Sequence, residues 1–263
     1  MSLTKRMLGT TGIEVSALGL GTVKIGRNQE VKYPSGFSLP SDEEVSALLA
    51  KARDLGINLL DTAPAYGSSE QRLGRLLGNR DDWVICSKVG EEFIAGKSFF
   101  DFSAEHTRRS VERSLRDMRT DYLDIVLIHS DGQDRKILDS SDCPETLLKM
   151  REEGLIRAVG MSTKTVDGGM KAAELLDAVM VTYNPSMLDD SEVIDHAYFL
   201  EKGILVKKAL NSGHDCVASE GTSGVSLAER NLHFALDRDG VSSVIVGTIN
   251  LDHLADNVAS VSN

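Results

Sequence analysis

The chain has 263 residues, enough to bury a large core, and a formal net charge of −11 at pH 7. That charge argues against a nucleic-acid or anionic-membrane surface, since neither polyanion is drawn to a net-negative face. With 41% apolar and 26% charged residues, 23 glycines and 5 prolines, the composition excludes disordered and fibrous classes.

In chain order, "KRMLGTTGIEV" reads as a β-hairpin, and "SALGLGT" (16–22) as a short apolar strand. "SDEEVSALLAKARDLG" (41–56) follows as a helix, with Val45, Leu48, Leu49 and Ala52 on one face. Ser41 with Glu44 forms a capping-box pattern, and Gly56 suits the C-terminal cap. "INLLD", a helix from about Ser69 to Leu77, and "DWVICSK" come next. "SAEHTRRSVERSLRDMRT" (103–120) is amphipathic and leads into "LDIVLIHS". After that, "PETLLKMREEG" precedes "LIRAVGMS", and "TVDGGMKAAELL" precedes "DAVMVTYN". "SEVIDHAYFLEKG" then precedes "ILVKKAL", and "SLAERNLHFALDRDG" precedes "VSSVIVGT". The helical pattern "LDHLADNVASV" closes the series.

Eight strands, each followed by a helical pattern, are mostly continuous apolar runs, as expected when both faces are covered. This pattern predicts an α/β chain: one (β/α)8 TIM barrel over residues 1–263, with the N-terminal β-hairpin plugging its bottom. A doubly wound open sheet is the competing reading, disfavoured because no glycine-rich first turn is present.

Polar residues gather at the strand ends that form the chemical rim of such a barrel. Asp61 ends the second strand, Lys88 the third and His129 the fourth. Ser162 follows the fifth, Asn184 the sixth, and Lys207 lies near the end of the seventh. Each has an ordinary reading: a helix cap for Asp61, a surface pair for Lys88, a core histidine for His129, packing for Tyr66. Their convergence on one rim favours chemistry. A phenol titrates near 10, and a neighbouring lysine lowers that value. A carboxylate behind the lysine keeps it charged, and a histidine beside the phenol can donate to a carbonyl oxygen. Such a group can protonate a carbonyl as hydride arrives, or take the proton back. Neither an HExxH metal pattern nor a GxxxxGK[ST] phosphate loop is present.

"GINLLDTAPAYGSSE", "CSKVG", "LIHS", "GLIRAVGMST" and "SSVIVGTINLDHLADN" together resemble the aldo-keto reductase family from about Lys5 to Asn257. The resemblance implies Asp61, Tyr66, Lys88 and His129 as catalytic residues and NADPH or NADH as cofactor, with no metal. Tyr66 would be the general acid or base, Lys88 and Asp61 its tuning pair, and His129 the carbonyl-orienting donor. Ser162 and Thr163 would hold the nicotinamide carboxamide, with Thr22 and Asp61 near the cofactor. Gly247, Thr248, Asn250, His253 and Asn257 would wrap the adenosine end.

Departures from the family pattern bear on the cofactor. Met180 stands where the family has a glutamine, removing an amide partner. Lys207 stands where an aromatic residue would stack on the nicotinamide. The stretch "GTINLDHLADN" has no lysine or arginine for a 2′-phosphate, leaving His253, helix amides, or Lys207 and Lys208 if their loop folds toward the adenosine. The loop after His129 is read as about a dozen residues to the next helix, giving a shallow pocket.

The expected function is reduction of an aldehyde, ketone or sugar carbonyl. The alternatives are a sugar or alcohol dehydrogenase working oxidatively, or a non-catalytic NADPH-binding sensor. An isomerase or aldolase is disfavoured, because a Schiff-base lysine needs an apolar setting and Lys88 has a carboxylate partner in Asp61. The partner would be a small carbonyl or alcohol, on a monomer or homo-oligomer. Cys86, Cys143 and Cys216 lack paired or metal-ligand spacing, and no segment reads as a signal or a membrane span, so a cytoplasmic location is expected.

Overall fold

The computed structural model describes residues 3–31, 33, 36–211 and 226–262, so Cys216 lies outside the described residues. β1 (Lys5–Met7) and β2 (Glu14–Ser16) form an antiparallel ribbon. β3 (Leu18–Gly21), β4 (Leu59–Asp61) and β5 (Val84–Val89) are parallel barrel strands. β6 (Glu91–Ile94) and β7 (Lys97–Phe100) form a second antiparallel ribbon. β8 (Leu123–His129), β9 (Ile156–Ser162), β10 (Ala178–Thr182), β11 (Gly203–Lys207) and β12 (Val241–Val246) complete the wall. β12 pairs back with β3, so the parallel sheet is a closed eight-stranded barrel.

Two apolar layers hold it. Inside, Leu59, Cys86, Ile125, Leu127, Ala158 and Leu205 pack against Leu8, Ile13 and Val15 of the N-terminal ribbon. That ribbon therefore closes the bottom of the barrel. Each of its three buried side chains contributes roughly 1.5–3 kcal/mol of apolar burial. Outside, the opposite strand faces meet the helices, among them Val45, Leu48, Leu49 and Ala52 of the helix Asp42–Asp54. This helix starts with the anticipated capping box: Ser41 accepts from the Glu44 amide, and the Glu44 carboxylate accepts from the Ser41 amide. Past its last turn Gly56 takes φ 87, a left-handed conformation that glycine adopts without a Cβ penalty.

Two local features differ from the sequence reading. The segment after His129 is not a dozen-residue loop, because the helix Asp134–Ser140 begins almost at once. Its polar sequence disguised it. The Asp134 carboxylate accepts from the Lys164 and Thr165 amides and the Thr165 hydroxyl, a tertiary tie that fixes the helix start. The β6–β7 ribbon was also unforeseen. It springs from Gly90, whose φ of 102 turns the chain off the barrel, where a Cβ would strike the Phe102 ring. Among the described residues no helix is long and apolar enough to cross a membrane.

Candidate active site

Parallel pairing brings residues distant in sequence to one rim. Asp61 stands opposite Cys86, Lys88 opposite Leu127, and His129 opposite Ser162. Tyr66 sits in a 3-10 turn, Pro64–Tyr66, where the proline ring presets the first backbone angle. Lys88 is 2% exposed, and all three of its ammonium protons are engaged. Nζ donates to Asp61 Oδ1 at 2.6 Å, the Thr62 carbonyl at 3.0 Å and the Tyr66 hydroxyl at 3.0 Å. Asp61 is therefore an ion-pair partner rather than a helix cap.

Electrostatics here differ in one respect from expectation. Burial opposes charge on Lys88, but Asp61 and Tyr66 outweigh it and hold the ammonium above its ordinary value. For Tyr66, burial raises the phenol; Lys88 pulls it down, and Asp61 pushes it back up. The net effect holds Tyr66 well above the usual phenol range, so the lysine does not make it a ready phenolate. Tyr66 is an O–H donor backed by a fixed cation.

The His129 ring lies edge-on to Tyr66, centroids 6.4 Å apart. Its Nδ1 is 2.9 Å from Glu91 Oε2, a close contact without the alignment of a good hydrogen bond. Burial raises the Glu91 carboxyl, but His129, Ser98 and Arg27 outweigh this and hold it down at about 2. Burial favours the neutral imidazole, against the pull of Glu91 and with the help of Lys88 and Lys207. For this coupled pair an ionised Glu91 beside a singly protonated His129 fits both directions at neutral pH, because Glu91 keeps Ser98 and Arg27 as partners.

Along the cleft, of about 1680 Å³, Ser162, Thr163 and Met180 form one wall. Among the described residues Thr163 Oγ1 is buried there without a hydrogen-bond partner. Lys207 does not reach toward the proposed adenosine segment. Its amine turns across β10 to donate to Ser162 Oγ at 2.9 Å and the Thr163 carbonyl at 2.7 Å. Burial, together with Lys208, pushes the Lys207 amine down to about 7. Thr22 lines the cleft, but its hydroxyl is engaged, donating to the Asp61 carbonyl and accepting from Ser69. Asn184 is likewise engaged, with the Lys208 carbonyl and the Ser186 amide.

Gly247, Thr248, His253 and Asn257 line the far end of the cleft. Asn250 does not; its side chain caps the helix Leu251–Val261 by accepting from the Asp252 and His253 amides. Among the described residues no group of three His, Cys, Asp or Glu side chains could hold a metal.

Sequence reasoning missed Glu91, Arg27 and Tyr33, all on the cleft. Glu91 follows the lysine strand by two positions in "KVGEE", a signal visible once that strand is placed. Arg27 and Tyr33 lie beyond the first barrel strand with no local pattern to mark them. Arg27 stacks on Phe93 at 3.4 Å and donates to the Ala65 carbonyl, bracing the turn that carries Tyr66.

The model of the aldo/keto reductase family matches residues 17–214. A crystal structure of a provisionally assigned aldo-keto reductase from Pseudomonas aeruginosa is 54% identical, covering 99% of this chain and 95% of that one, with a TM-score of 0.88. L-galactose dehydrogenase of Arabidopsis thaliana is 28% identical, covering 98% of this chain and 88% of that protein. D-threo-aldose 1-dehydrogenase of a Pseudomonas species is also 28% identical, covering 81% and 71% respectively. The chain belongs to the aldo/keto reductase family, and its activity is that of an NAD(P)(H)-dependent oxidoreductase.

Proposed function

We propose that the protein interconverts a sugar-like or other small carbonyl and its alcohol, with Tyr66 as the group that moves the proton. The observation that carries this reading is Lys88 Nζ, held by Asp61 and aimed at the Tyr66 hydroxyl at 3.0 Å. In reduction Tyr66 Oη donates to the substrate oxygen, and the fixed ammonium stabilises the phenolate that results. In oxidation the same oxygen takes the proton back. Asp61 keeps the cation in place and touches neither proton nor substrate.

The residues present fit a nicotinamide dinucleotide. The orphaned Thr163 hydroxyl offers an amide partner beside Ser162. Gly247, Thr248, His253 and Asn257 would follow the adenosine half. When bound, this cofactor gives or accepts the hydride. No lysine or arginine stands among residues 247–257, which supports use of both NADH and NADPH. The names of two relatives, L-galactose dehydrogenase and D-threo-aldose 1-dehydrogenase, support a sugar as substrate. Cys86 and Cys143, both buried and unpaired, support work in a reducing compartment such as the cytoplasm.

Titration with NADH and NADPH by cofactor emission, followed by an aldehyde and aldose panel in both directions, tests this reading. Saturable binding with turnover is expected. Tight binding with no turnover across the panel would favour a sensor instead.

A further inference from the structure

We propose that Lys207 is a second reactive group of the cleft, an amine nucleophile that condenses with a small, unhindered aldehyde to form a reversible imine.

Two lysines of this cleft stand in contrast. Lys88 engages its protons with the Asp61 carboxylate, the Thr62 carbonyl and the Tyr66 hydroxyl, so it stays an ammonium and is no nucleophile. Lys207 ends β11, is half-buried, and turns its amine across β10 toward β9. Both of its acceptors are neutral oxygens: Ser162 Oγ at 2.9 Å and the Thr163 carbonyl at 2.7 Å. An ammonium offers three protons, and a free amine offers two. Two acceptors therefore satisfy the free amine in full. The fourth tetrahedral position of Nζ, beyond Cε and the two donated protons, is left to the lone pair, and Lys207 lines the cleft.

The surroundings act in the same direction. Lys208, next in the chain, and Lys88 on β5 repel a charge on Lys207. Asp190 after β10 and Asp134 after β8 attract it, but among the described residues neither forms an ion pair with it. His129, at the end of β8, is a further titratable neighbour on the cleft. Burial and Lys208 prevail and push the amine down to about 7. Desolvation beside other cations is what activates an imine-forming lysine.

The condensation needs no oxidant or reductant. The Lys207 lone pair forms a C–N bond at the aldehyde carbon, and the carbonyl π pair moves to oxygen. That oxygen takes one amine proton, which gives a carbinolamine. The nitrogen pair then forms C=N as the hydroxyl leaves with the second amine proton as water. Ser162 Oγ, already bonded to Nζ, is placed to relay these protons.

Lys207 stands where the family pattern has an aromatic residue against the nicotinamide, so adduct and cofactor compete for one place. Aldehyde in excess would then hold the protein off its cofactor. This competition rests on the reading of the cleft as the nicotinamide site; the imine itself does not.

The test treats cofactor-free, full-length protein at pH 8 with limiting glycolaldehyde and cyanoborohydride. The hydride reagent reduces an imine to a stable secondary amine, and peptide mass spectrometry maps it. Lys207 should be labelled at least about tenfold faster than the exposed Lys97, because the free-amine fraction sets the rate. Lys207→Arg keeps a cation with its donors and should lose the early label, as should Lys207→Met. Saturating NAD⁺ or NADP⁺ should suppress the Lys207 label and leave that of Lys97 unchanged. Wild-type labelling of Lys207 no faster than that of Lys97, or an early label that persists in both variants, would overturn the proposal. A fast Lys207 label that neither cofactor suppresses would support the imine and contradict the placement of the nicotinamide.

Discussion

Lys88 donates to the Tyr66 hydroxyl at 3.0 Å while burial keeps that phenol protonated, so the pair is a proton donor with a cation waiting for the charge it leaves. The same ammonium is the partner of Asp61, which is 5% exposed. Removing it has two separable consequences.

Lys88→Met should leave Asp61 buried and unpaired, at a cost on the order of 3–5 kcal/mol. Urea unfolding of the single variant and of Lys88→Met/Asp61→Asn measures this. The double variant should recover part of the loss. A double variant no more stable than the single one would mean the pair is not the source. In any folded Lys88→Met protein the alcohol-oxidation profile should move to higher pH, because the phenolate has lost its cation.

Lys207 gives a pH dependence of binding. Its amine, pushed down to about 7 by burial and Lys208, is largely charged at pH 6 and largely neutral at pH 8. An oxidised nicotinamide carries positive charge, so its affinity should rise from pH 6 to pH 8, by at most about tenfold over that whole range. Lys207→Met should flatten the dependence. Isothermal titration with the oxidised cofactor at both pH values reads it, and an equal slope in the variant would assign the effect elsewhere.

Glu70 concerns stability alone. Burial pushes its carboxyl up to about 7, against the partly offsetting Ser87 and Ser114 hydroxyls. The unfolded chain releases this proton near the ordinary value of 4.5, whereas the folded protein holds it until about 7. Stability therefore falls as pH rises through that window. Glu70→Gln keeps partners for both serines and has no proton to lose. Its gain over wild type should be small at pH 4.5 and on the order of 2 kcal/mol at pH 7.5. Thermal unfolding at the two pH values would contradict this if the difference stayed constant.

Cofactor discrimination should be modest. With no lysine or arginine across residues 247–257, dissociation constants for NADH and NADPH should agree within roughly tenfold, about 1.4 kcal/mol. A preference for NADPH above a hundredfold would require a basic reader elsewhere on the cleft, with Lys208 or Lys24 the first to replace.

The barrel was legible because its signals are local. The apolar runs of β4, β8 and the start of β5 need no tertiary knowledge, and Asp61, His129 and Lys88 follow from where those runs stop. Asn250 illustrates the limit. Its type suits a ligand contact and a helix cap equally, and the cap, made with the Asp252 and His253 amides, becomes visible only in the structure. The helix Asp134–Ser140 and the β6–β7 ribbon depend on contacts with residues far away, Thr165 for one and Phe102 for the other. Glu91 is half legible: its position after the lysine strand can be read, but its approach to His129 is a tertiary contact. The direction of the Tyr66 shift was missed because a sequence shows the cation but not the burial that outweighs it.

The most direct test of the account is Tyr66→Phe, read by cofactor binding and single-turnover reduction together. Phenylalanine keeps the ring and removes only the proton donor. The account predicts NADH and NADPH dissociation constants within about twofold of wild type and a chemical step slower by roughly 10²–10⁴-fold. A variant that binds and reduces at the wild-type rate would contradict it.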